Sequence, residues 1–252
     1  MSSPKTTGKV MEKQGFVSAN KRVIRPRIIL SMEGLEKQGK THFALTAPGP
    51  IAMFSTDTGE EGVVSKFGSK EIWIMPMGKV EDEDSVDQAV EEIDKFKKSY
   101  TNMLRGDEVK TIIIDTATEV WESLRMARFG RLTQIMPYQY GPVNAEYRAL
   151  VREAYGYDKN LILLHKMKPK YVNDKRTDDY ERAGFGDTGF LVQVNVKSYR
   201  YDPEDGGEFS IYIRDCRQNP DLAGEEFVGD MCTFPFLASM VLPDIDPGTW
   251  ND

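Results

Sequence analysis

RIILSMEGLEKQGKTHFAL (residues 27–45) joins a short apolar run to an amphipathic one through the eight residues GLEKQGKT. The first run, RIILSM, is largely apolar, the pattern of a buried strand. The second must stop before Pro48 and Gly49, as a helix does. The residues between read G-x-x-x-x-G-K-T, with Gly34, Gly39, Lys40 and Thr41 at the four fixed positions. Glycine lets the backbone wrap closely and turn its N–H groups inward. Lysine neutralises the β- and γ-phosphates of a nucleotide, threonine offers a hydroxyl to Mg²⁺, and the helix adds its positive dipole end. The expected binding residues are Gly34, Leu35, Glu36, Lys37, Gln38, Gly39, Lys40, Thr41 and His42, with Lys40 also acting on the reacting phosphoryl group.

Such a loop needs a carboxylate at the end of a neighbouring strand to hold the metal. TIIID supplies Asp115 after four apolar or β-branched residues, at the carboxyl end of a buried strand, where open α/β sheets bind ligands. Thr41 and Asp115 are therefore the expected magnesium pair. Hydrolysis also needs a group that positions water. Asp57, Glu60 and Glu61 in STDTGEEG all qualify; Glu60 is preferred for its reach, and the choice stays open. His165 ends the run NLILLH, where a polar side chain is placed to sense the γ-phosphate.

Outward from the loop, strands and helices alternate. PIAMFST and EIWIMPM read as strands, and DSVDQAVEEIDKFKKSY as a helix with Val86, Ala89, Val90, Ile93 and Phe96 on one side. TIIID precedes a helix through Trp121 and Leu124, and NAEYRALVREAYGY precedes the strand NLILLH. FLVQVNVKSYRYD and GEFSIYIRDCR then alternate around PEDGG like antiparallel strands. The fold class predicted is α/β: a mainly parallel sheet, helices on both faces, and a C-terminal antiparallel hairpin extension. The boundaries expected are a basic flexible arm at 1–23, the main domain at 24–240 and an acidic, disordered tail at 241–252.

The 252 residues suit one such domain. The longest apolar runs are too short for a membrane span, no secretory pattern opens the chain, and Cys216 and Cys232 form no CxxC pair, so a cytoplasmic setting is expected. A net charge of −7 argues against general polyanion binding, yet it is unevenly spread: 1–27 is basic and 81–94 strongly acidic.

GLEKQGKTHFAL resembles the phosphate loop of RecA-type recombinases, whose bacterial form reads GPESSGKT, at Gly34, Glu36, Gly39, Lys40 and Thr41. TIIIDTATEV and AMFSTDTGEEG are similar to that family's metal-binding and catalytic-glutamate strands. Among its members the compact phage ATPases of recombination and single-strand annealing are the nearest likeness. The resemblance covers roughly 24–200 and departs at two points: Gly59 stands where the family's glutamate falls, with Glu60 next, and Leu164-His165 replaces Asn-Gln. It implies a RecA-like P-loop NTPase fold, ATP and Mg²⁺ as cofactors, and assembly into a filament or ring.

It also implies that the segments after the Asp115 and His165 strands face single-stranded DNA. The first, 123–144, carries Arg125, Arg128 and Arg131 with Phe129, Tyr138 and Tyr140; the second, 166–182, carries six basic residues, two tyrosines and four acids. Cations meet phosphates and rings stack on bases, so Arg125, Arg128, Arg131, Lys168, Lys170 and Arg176 are the expected DNA contacts. Lys170, Arg176 or Arg182 would serve as a finger completing a neighbouring copy's site. A phage or host single-strand-binding protein is a further expected partner. Phe16-Val-Ser-Ala19 is similar to the segment by which recombinases dock on a neighbour, although packing on its own domain is the simpler expectation. Two other classes share the loop: a ring motor, helicase-like or packaging-like, and a small-molecule phosphotransferase.

Overall fold

In the computed structural model, residues 4–19, 24–78, 86–130, 135–202, 204 and 206–252 are described. The chain forms α1 (Pro4–Lys13), β1 (Ile29–Glu33), α2 (Lys40–Leu45), β2 (Ile51–Ser55), β3 (Ile72–Pro76), α3 (Val86–Arg105), β4 (Thr111–Asp115) and α4 (Ala117–Phe129). There follow α5 (Gly141–Ala154), β5 (Asn160–His165), β6 (Met167–Val172), β7 (Lys175–Arg182), α6 (Thr188–Leu191), β8 (Val194–Arg200), β9 (Phe209–Cys216), β10 (Glu226–Val228) and α7 (Phe234–Val241). Eight strands make one sheet in the order β10-β9-β8-β1-β5-β4-β2-β3. From β8 to β3 every neighbouring pair is parallel, whereas β9 runs antiparallel to β8 and β10 to β9. This is the mainly parallel α/β arrangement expected, with its antiparallel extension.

Parallel strands covered on both faces are apolar at nearly every interior position, and β1, β2, β4 and β5 are buried throughout, with their polar residues mostly at the ends. Alternation divides their side chains between two cores. Leu30, Met32, Ile113, Ile162 and Leu164 pack with Phe43 to Leu45 of α2 and Phe234, Leu237 and Val241 of α7. Ile29, Ile112, Ile114, Leu161 and Leu163 pack on the opposite face with Ile93, Phe96 and Tyr100 of α3, Leu124 of α4 and Tyr147 and Val151 of α5. Val86 and Val90 of α3 are exposed; the buried stripe runs Ala89, Ile93, Phe96, Tyr100, Leu104. Among the described residues no helix is long and apolar enough to cross a membrane.

Several expectations change. The basic arm holds a helix, α1, with proline at its first position, where a missing N–H is harmless. Phe16 beyond it is exposed rather than packed on its own domain. The segment 166–182 is not a loop but the β6–β7 hairpin, a separate two-stranded sheet. Its tight turn falls at Asn173 and Asp174, both at positive φ (51° and 59°), which these two side chains tolerate and two-residue hairpin turns require.

The acidic C-terminus is not disordered. Trp250 is 1% exposed and packs into the α2–α7 core, while Asp252 pairs with Lys70 at 3.0 Å and accepts from the Gly49 amide at 2.7 Å. One large ring buries enough apolar surface to hold a short tail down. Trp250→Ala is expected to cost about 3 kcal/mol in urea unfolding. Trp250→Phe should cost far less, since the indole N–H has no partner to lose.

Candidate nucleotide site

Glu33 ends β1 and the chain turns at Gly34, beside which a Cβ would overlap the Ser198 hydroxyl. Gly39 has φ +79°, and a side chain there would reach within 2.7 Å of the Phe209 ring, so only glycine fits both backbone and neighbour. The Gln38 side chain accepts from the Leu35 amide at 2.8 Å and braces the loop. Lys40 Nζ reaches back across it, donating to the carbonyls of Gly34 (2.9 Å) and Leu35 (2.7 Å). Burial lowers the Lys40 pKa, opposed by the charges of Asp115 and Asp57. The ammonium is thus held over the loop, where a phosphate would meet it.

Asp115 shares the Ile113 face of β4 and so points towards α2. Its Oδ2 accepts from the Thr41 hydroxyl at 2.7 Å, bringing the two expected metal residues together across 74 positions of sequence. Burial pushes the Asp115 carboxyl up to about 6, with the Thr41 hydrogen bond opposing the rise. A hydroxyl and a buried carboxylate short of positive charge fit a hard, oxygen-seeking divalent cation. They line a cavity of about 780 Å³ with Gly34 to His42, Asp57, Gly59, Val63, Lys66, Thr116, Lys166, Met167 and Phe209. A larger cleft, about 1000 Å³, lies at the other end of the strands around Ile24 to Arg27, remote from these groups.

The water-positioning candidates separate. Glu60 is turned to the end of β2, where it accepts from the Ser55 hydroxyl at 2.6 Å, and it does not line the cavity; Asp57 does. Asp57 also faces Lys166, 3.9 Å away, and Lys166 pairs with Glu119. His165, expected to sense the γ-phosphate, does not line the cavity. It shares the face of Leu161 and Leu163 and is fully buried; its neighbour Lys166 lines the cavity instead. Burial holds the His165 pKa well below its ordinary 6.5, with Arg182 adding to the effect.

A histidine kept neutral in the fold but free to protonate when unfolded destabilises the protein as pH falls through that ordinary value. The loss is up to about 1.4 kcal/mol per pH unit below it. Comparing urea unfolding of the wild type and His165→Leu at pH 7 and pH 5 should show the wild type losing more stability on acidification.

The basic candidates divide as well. Arg182 is buried and paired with Glu33 at 2.9 Å, which removes it as a finger for a neighbouring copy. Arg125 pairs with Glu122 on α4 at 2.7 Å, Arg128 on the same helix is exposed, and Arg131 lies outside the described residues. Lys168, Lys170 and Arg176 are exposed on the hairpin, Lys168 facing Glu181 at 3.3 Å and Arg176 the Tyr180 hydroxyl at 3.5 Å. Tyr138 and Tyr171 are exposed, whereas Tyr140 stacks on Trp121.

Sequence reasoning missed Phe209 and Lys166 as cavity residues and Glu33 as a buried acid. For Glu33 a signal existed: an acid inside an apolar strand needs a cation. For Phe209 none did, because β9 reaches the loop only through the sheet.

Residues 28–188 match a family described as an AAA domain. A KaiC-like protein from the hyperthermophilic archaeon Pyrococcus horikoshii is similar in structure at 12% identity, over 81% of this chain and 85% of that one, with a TM-score of 0.47. No curated protein matches the sequence. With the phosphate loop, the Thr41–Asp115 pair and the family match across most of its length, the chain belongs to this AAA-domain family of P-loop ATPases.

Proposed function

We propose that the protein is a Mg²⁺-dependent ATPase that couples hydrolysis to single-stranded DNA as a cytoplasmic homo-oligomer, in recombination or annealing of the kind its phage likenesses serve. The observation that carries the coupling is the exit of the β6–β7 hairpin from the cavity. Lys166 and Met167 line the nucleotide cavity, and the chain continues directly into exposed Lys168, Lys170, Tyr171, Arg176 and Tyr180. A change at the phosphates is thereby next to a surface of cations and rings, which suits a strand of any sequence.

In this reading Thr41 and Asp115 hold the metal, Lys40 meets the β- and γ-phosphates, and Asp57 orients the attacking water. Magnesium, when bound, neutralises charge developing on the phosphoryl oxygens. Lys170, which lines a neighbouring pocket with Leu35, Gln38 and Met167, or Arg176, exposed near the hairpin turn, would reach a neighbouring copy's phosphates in a filament or ring.

Measuring ATP turnover with and without single-stranded DNA at several salt concentrations tests the reading. Stimulation that weakens as salt rises is the expected result. No stimulation together with no salt-sensitive binding would remove DNA from the proposal. A ring motor or a phosphotransferase acting on a soluble substrate would then take its place.

A further inference from the structure

We propose that Phe209, with His42 beside it, forms the wall on which the nucleobase stacks; this rests on the nucleotide reading of the cavity. A nucleotide has one charged end and one flat, largely apolar end. Lys40, Thr41 and Asp115 locate the charged end. Among the described residues lining the cavity only two carry rings, His42 and Phe209. Their planes lie within 11° of parallel with centroids 6.4 Å apart, so both offer a flat surface of one orientation.

Each ring is held by a neighbour. Phe67 packs against His42 at 5.1 Å, and the Arg200 guanidinium lies over Phe209, 5.2 Å from its centroid. Phe209 also sits directly against Gly39, one helical turn before His42, so the wall begins where the phosphate loop ends. Phe209 is half-buried at the start of β9, an exposure that a core phenylalanine would not need.

The wall offers faces rather than an array of fixed hydrogen-bonding groups. Stacking is tolerant of base identity, because every base has a π-face. The site should therefore gain affinity from any base while discriminating weakly between adenine and guanine.

The experiment is calorimetric titration, with Mg²⁺ present, of ATP, GTP and inorganic tripolyphosphate into the wild type, Phe209→Ala, Phe209→Tyr and Lys40→Ala. Phe209→Ala should weaken ATP and GTP by about tenfold or more and leave tripolyphosphate unchanged, and Phe209→Tyr should restore the nucleotides. Unchanged ATP affinity in Phe209→Ala would overturn the wall. So would an equal loss of tripolyphosphate, which would make Phe209 a prop for the loop. Tripolyphosphate that binds neither wild type nor variant, or binds Lys40→Ala as well as wild type, would overturn the phosphate-loop reading beneath it.

Discussion

Lys40→Ala should lower ATP turnover by a factor of about 100 to 1000, the scale seen when one preorganised donor to a developing anion is removed. The ammonium is already placed: it spans the loop to two carbonyls, and burial has stripped part of its hydration. Little reorganisation is needed when phosphate oxygens replace those carbonyls, so most of its electrostatic effect is available to the transition state. The fold should survive, because the carbonyls released from Lys40 lie at a cavity open to water. Steady-state hydrolysis alongside thermal unfolding checks both parts. Hydrolysis undiminished in a folded Lys40→Ala protein would sink the assignment of GLEKQGKT as the catalytic loop.

Arg182→Ala should cost about 3–5 kcal/mol, a large fraction of the stability of an ordinary domain. Glu33 is 1% exposed and takes Arg182 on one carboxylate oxygen and Arg214 on the other. Arg182 also donates to Asn195 at 3.0 Å, so its guanidinium ties the base of the hairpin to β1 and β8 together. Removing it leaves a buried carboxylate with one half-exposed partner. The penalty is the desolvation of that charge rather than the worth of a contact. Arg182→Met combined with Glu33→Gln should recover much of the loss, since no buried unpaired charge then remains and Arg214 is half-exposed to water. Urea unfolding of the single and double variants measures this, and a single variant as stable as wild type would show that Arg214 alone satisfies Glu33.

This same pair shows where sequence reading reached its limit. Arg182 stood in a segment of lysines, arginines and tyrosines, and from composition alone its charge was as available as that of Lys170 or Arg176. Its partner lies 149 residues away, in the strand that leads into the phosphate loop. The turn is legible in Asn173-Asp174, but only the first arm, MKPKYV, alternates; the second, KRTDDYER, is charged or polar almost throughout and carries no strand period.

His165 departs from expectation for a different reason. The sequence puts it at a strand end, and β5 does end there. A strand end fixes where a side chain lies along the sheet, not which face it takes. Asp115 took the face of α2 and His165 the other, because Asp115 has the parity of Ile113 and His165 that of Leu163. With every position between the first and last residues of both strands apolar, the pattern carries no mark of which parity faces which helix layer.

The sequence by itself determined the phosphate loop, the acid that answers it and the α/β class. Each is written in local spacing: glycines, lysine and threonine at fixed intervals, an unbroken apolar run ending on Asp115, helical and strand periods in turn. Only the tertiary structure decided that β5 lies between β1 and β4, that Glu33 closes on Arg182 and Arg214, that Trp250 anchors the C-terminus and that Phe209 overhangs Gly39. Those contacts depend on sheet order, register and burial. These are set by the combined packing of distant segments, which no single stretch of the chain specifies.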